Sequence, residues 1–136
     1  MILDDIAEYL ETNSTRLTVG VNLTKSFMPE SPDTVTTVYE TGGTGPLNAF
    51  STGGGTRFYE QPSIMIQSRS KDYQTVRLVM EDVFTILDGV NNTGFPTTTG
   101  THYGSIDAVQ SPFLVNRDGN NRFVMSVNFD VLKVSG

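Results

Sequence analysis

The 136-residue sequence has no cysteine, no tryptophan and a single histidine. Without cysteine there is no disulfide framework and no thiolate to act as nucleophile or metal ligand, which fits a reducing compartment. Charged residues are only 18% of the chain, and fifteen acidic against nine basic residues leave a formal net charge of −6. Proteins that grip nucleic acid neutralise phosphates with clustered Lys and Arg, and no such cluster is present. Tight binding to DNA or to an anionic membrane surface is therefore not expected. Long apolar runs are also missing, and none approaches the ~20 residues that span a bilayer as a helix. The opening MILDDIAEYLE is acidic, unlike the basic start of a signal peptide, so synthesis in the cytoplasm is expected.

What the chain has is polar, uncharged and β-branched. Eighteen threonines, all at or before Thr101, suit half-exposed strands and ordered turns. The length fits one domain, spanning residues 1–136, with a single ordinary core. Ile2, Leu3, Ile6, Tyr9 and Leu10 recur at spacings of three and four and predict a helix over 2–13. Asp4, Asp5, Glu8 and Glu11 are read as its solvated side. From Arg16 to Leu23 the period changes to two, predicting a half-buried strand with Leu17, Val19, Val21 and Leu23 facing inward. The stretch KSFMPESPD carries two prolines and reads as a loop, and VTTVYE over 35–40 as a strand.

Residues 41–57 contain six glycines and read as a long loop, with Leu47 and Phe50 as apolar points within it. Phe58 to Ser68 is expected to be a strand covered on both faces. Ser70 or Asp72 can then cap a helix whose apolar side holds Tyr73, Val76, Val79, Met80, Val83, Phe84 and Leu87. Asp88-Gly89 ends it, with glycine where a positive φ is needed. Leu78 stands alone among polar neighbours that include Glu81, and is a candidate contact if the domain packs on a copy of itself. Residues 91–104 read as a second loop, 105–115 as a strand in which Pro112 indicates a bulge or an edge, and Arg117 to Asn121 as a hairpin turn. The last strand, 122–134, turns Phe123, Met125, Val127, Phe129 and Val131 to the core. The sum is an α+β fold: a mixed or antiparallel sheet of about five strands, an N-terminal helix and one long central helix packed on it.

Catalytic patterns are weak. His102 sits in a Thr/Gly context beside Tyr103, and nothing recognisable orients a nucleophile around it. No spacing of His and carboxylates suggests a metal site. The glycine runs TGGTGP and STGGGTR lack the Gly-Lys-Ser/Thr ending of a phosphate loop and lead into a strand, not a helix. No catalytic, metal or cofactor-binding residue is assigned, and no cofactor is expected. An arm that reorders on docking suits the glycines better, with Phe50, Phe58 or Tyr59 buried against a partner.

The stretch FYEQPSIMIQSRSKDYQTVRLVMEDVFTILDG (58–89) resembles the tail-terminator, or minor capsid, proteins of long-tailed bacteriophages. The likeness rests on a strand ending in Gln-Ser-Arg, a helix opening on Tyr-x-x-Val and a Leu-Asp-Gly end. The N-terminal helix and the final strand pair extend it over most of the chain. The resemblance implies a structural virion protein, not an enzyme. Such a protein forms a ring, usually a hexamer, that halts growth of the tail tube and meets the head-completion protein, while DNA passes the lumen without specific binding. The tail tube protein, the head connector and further copies of the chain are the partners implied, and no membrane. Residues expected at these contacts are Phe50, Phe58, Tyr59, Leu78, Glu81, Phe95, His102 and Tyr103. A head–tail stopper or adaptor and a tail-tube subunit are the alternatives among assembly proteins. A small host enzyme or ligand-binding domain, with a pocket around His102 and Tyr103, is the alternative outside them. Deleting Gly43 to Gly54 is expected to spare the core and impair assembly.

Overall fold

A computed structural model describes residues 2–48, 58–94 and 102–135. Helix α1 spans Ile2–Asn13 and buries Ile2, Leu3, Ile6, Ala7 and Leu10, as its periodicity requires. Asp5 is buried with them, a correction to its expected place on the solvated side. The reason is Tyr103, whose hydroxyl donates to Asp5 Oδ2 at 2.7 Å.

The region after α1 departs from the alternating pattern. Only Leu23–Lys25 forms a strand, β1. Gly20 takes φ +83°, and the Thr18 carbonyl accepts from the N–H groups of Val21, Asn22 and Leu23. This turn breaks the alternation, so Leu17 and Leu23 are buried while Val21 is 64% exposed. Alternation over eight residues cannot show a turn that glycine places inside it.

Two long strands follow, β2 (Val35–Asn48) and β3 (Phe58–Ser70), paired antiparallel from Val35↔Arg69 to Asn48↔Phe58. β2 therefore runs well into the stretch expected to be a loop. It does so through irregular register between Glu40 and Gly43 and between Thr44 and Leu47. Gly43 is needed there. Its φ is +120°, and a Cβ would stand 2.8 Å from Ser63 N and 2.9 Å from Pro62 C, both main-chain atoms of β3. Residues 49–57, Phe50 among them, lie outside the described residues.

Helix α2 spans Tyr73–Leu87 and buries Val76, Val79, Met80, Val83 and Leu87. Asp72 is at the cap position, but its carboxylate accepts from the Thr75 hydroxyl at 2.7 Å and makes no cap to the main chain. A cap contributes about 1 kcal/mol, whereas each buried aliphatic side chain contributes about 1.5–3 kcal/mol. Packing on the sheet, not capping, holds this helix. Gly89 leaves the helix with φ +81°, as the Asp-Gly ending requires.

The remaining strands are β4 (Val90–Gly94), β5 (His102–Ala108), β6 (Phe113–Arg117) and β7 (Phe123–Ser135). Strand pairing within 91–104 and the division of 105–115 into two strands raise the expected five strands to seven among the described residues. The division falls at Val109–Pro112, where proline cannot donate to a ladder. The turn into β7 takes its positive φ at Asn121, +60°.

The sheet order is β1-β2-β3-β7-β5-β4, with β6 also pairing β7. Only the β1–β2 pair is parallel; the other pairs are antiparallel. β3 lies along one side of β7 for its whole length, and the other side is shared by β5 near residues 129–133 and β6 near 123–126. Ile64, Ile66, Met125, Val127 and Phe129 project from one face of the sheet into a core shared with both helices.

Candidate functional site

The large exposed apolar side chains show where this fold can meet another molecule. Among the described residues they are Val21, Phe27, Tyr73, Leu78, Val109, Phe113, Leu114 and Val115. Leu78 is on the outward side of α2, near Glu81, which accepts from Arg77 Nε at 3.2 Å. Tyr73 leans edge-on against Phe123, with ring centroids 5.5 Å apart. The other six fall at two places on the sheet: Val21 and Phe27 flank β1, and Val109, Phe113, Leu114 and Val115 lie on or before β6.

β6 is exposed along its whole length. It pairs β7 on one side, and among the described residues no strand lies on the other. An edge carrying Phe-Leu-Val in succession is a ready template for association. The charge near it is Arg117, whose guanidinium carbon sits 4.9 Å from the Phe123 ring centroid in a cation–π contact.

Phe27 stands at the start of a strap, residues 26–34, that two arginines fasten. Arg69 and Arg122 are each only 4% exposed. Arg69 points to the face of β3 opposite Ile64 and Ile66, because side chains alternate along a strand. Its Nη2 donates to the carbonyls of Pro29 (2.7 Å), Glu30 (3.2 Å) and Pro32 (2.8 Å), and its Nε to that of Asp33 (3.2 Å). Arg122 donates to the Glu30 carbonyl, to Glu30 Oε1 and to Asp118 Oδ2, each at 2.8 Å. A proline-containing strap cannot satisfy its own carbonyls through regular pairing, and the guanidinium forks supply the missing donors.

The electrostatics follow from this geometry. Burial, followed by the positive charge of Arg122, lowers the pKa of Arg69. Burial acts the same way on Arg122, but the hydrogen bonds to Glu30 and Asp118 outweigh it and raise the value. For Asp118, burial would raise the pKa. The N–H groups of Arg122 and Asn120 and the Arg122 side chain prevail, and the carboxyl is held below its usual range. At the β1 edge, the hydrogen bond from Lys25 lowers the pKa of Asp4.

Of the residues expected at contacts, Leu78 and Glu81 are both exposed on α2. Phe58 and Tyr59 lie on β3, with main-chain partners in both β2 and β7, and His102 opens β5 opposite Gly94. Phe50 and Phe95 lie outside the described residues. Tyr103 does not face outward: it is fully buried and ties β5 to α1 through Asp5. Among the described residues no group of three or more His, Asp or Glu could hold a metal ion, and no helix is long and apolar enough to cross a membrane. Pro112 points to a bulge or an edge, but Phe113, Leu114 and Val115 read as the end of one longer strand, so sequence reasoning missed β6 as a separate exposed strand. It also missed the paired arginines, because nothing local to Arg69 or Arg122 points to partners on the 26–34 strap.

A family model described as bacteriophage tail terminator protein matches residues 9–134. The chain belongs to that family. It is thus a structural protein of the phage tail and a component of the virion. Among solved structures, a chain from the "Virion of native gene transfer agent (GTA) particle" shares the fold, with a TM-score of 0.52 and 11% identity over 96% of this chain and 84% of that one. No curated protein sequence matches.

Proposed function

We propose that copies of this chain close into a ring, a hexamer, on the last ring of the tail tube. The ring stops tube growth and offers its opposite surface to the head-completion protein. The family match across residues 9–134 carries this reading. The net charge of −6 supports passage of DNA through such a ring without retention, since like charge disfavours binding. A closed ring of identical subunits needs two different, complementary surfaces on each copy, and the exposed apolar side chains at separate places on the sheet answer that need.

Solution mass and electron microscopy of the full chain, alone and with purified tail tubes, test the proposal. Discrete rings of one stoichiometry, seated at tube ends and blocking further tube growth, are expected. Long tubes made of this chain would assign it to the tube itself. A ring that binds the head connector but not the tube would make it a stopper. A chain that remains monomeric under all these conditions would remove the ring.

A further inference from the structure

The two apolar edges are not placed at random. Leu23, Thr36, Ser68, Met125 and Leu114 lie in one row across β1, β2, β3, β7 and β6, linked by successive strand pairings. Among the described residues the sheet is five strands wide at this level, with β1 at one margin and β6 at the other. Both margins carry exposed apolar side chains: Val21 and Phe27 (70% exposed) beside β1, and Phe113, Leu114 and Val115 on β6.

Strand directions agree with a side-to-side contact. β1 and β2 run together, β3 runs against them, β7 runs with β2, and β6 runs against β7. With copies in the same orientation, β6 of one therefore runs antiparallel to β1 of the next. The β1 main chain is already partly engaged, because the Leu23 carbonyl accepts from Gly20 N–H and Leu23 N–H donates to Thr18. Contact at this margin falls mainly to side chains.

Charges also match. Arg117 is exposed at the end of β6. On the far margin exposed Glu11 accepts from the N–H of Val19, the bridge partner of Leu23.

We propose that β6 of one copy packs against the β1 margin of the next, with Phe113, Leu114 and Val115 covering Val21 and Phe27 and Arg117 facing Glu11. The partner is a second copy of this chain, and the contact is heterologous, so it can repeat around an axis and close. The inference rests on the ring reading and identifies the surfaces that build it.

The test uses the full chain. Ring formation is measured by solution mass with and without tail tubes, and circular dichroism confirms that each variant is folded. Leu114→Asp and Phe27→Asp change exposed side chains, and each is expected to reduce the ring fraction tenfold or more at a fixed concentration. Arg117→Glu and Glu11→Arg are each expected to weaken the ring, and the two together to restore it. Undiminished rings in the single variants, or no recovery in the double variant, would overturn this contact while leaving the ring reading intact. A wild-type chain that never forms rings would remove both.

Discussion

Tyr103 shows how much one side chain decides. Its ring fills core volume below β5, and its hydroxyl supplies a donor to Asp5, which is buried on α1. Removing a donor from a buried acceptor costs more than the hydrogen bond contributes, because the acceptor has already lost its water. Tyr103→Phe keeps the ring and deletes the donor. It is expected to destabilise the fold by about 1–3 kcal/mol, read from urea unfolding at unchanged slope. A loss near zero would mean that Asp5 is satisfied without the hydroxyl. Gly43 makes the complementary point: there the main chain of β3 leaves no room for a Cβ.

Among the elements, the strap 26–34 depends on ionised groups more than any strand does. Asp118 accepts from the N–H groups of Asn120 and Arg122 and from the Arg122 side chain, which keeps its folded-state pKa below that of the unfolded chain. A carboxyl depressed in this way stabilises the fold above its unfolded pKa of about 3.9. The contribution is lost as pH falls through the lower folded value. Acid is therefore expected to loosen the 118–122 turn and the strap it helps hold, with the decline setting in below about pH 4. Asp118→Asn retains an acceptor but no charge, so its melting temperature should depend less on pH in that acid range while lying below the wild type at neutral pH. Equal slopes for both proteins would show that Asp118 is not the responsible carboxyl.

At the scale of the whole molecule, β3 and β7 are the centre. They pair along their full length, and α2 packs across their buried face, while among the described residues β1, β4 and β6 each pair with a single strand. Amide exchange should follow that order. Protection is expected to approach the global unfolding limit at Ile64, Ile66, Val127 and Phe129, and to be much weaker at Leu114 and Val115 in the isolated chain. Addition of tail tubes should raise protection along β6 if the edge becomes an interface. Fast exchange at Ile64 and Val127 would place the stable centre elsewhere.

Periodicity alone was enough for the elements that lie wholly on one face of the core. The helices over 2–13 and 73–87, the pair Val127/Phe129, and the turn at Gly89 follow from spacing and local backbone preference, which are short-range properties. The resemblance around 58–89 belongs here too, because it rests on the same spacings and caps. Partnership across long separations was not legible in this way. Asp5 meets Tyr103 across 98 residues, and Arg122 meets Glu30 across 92. No local pattern distinguishes such pairs from solvated charges. The same holds for the sheet margins: Val21 and Leu114 read as inward or continuous strand positions until Gly20 turns the chain and Pro112 separates β6 from β5. Only the order of strands then sets β1 and β6 at opposite ends of one row, because pairing partners, unlike propensities, are chosen by the rest of the chain.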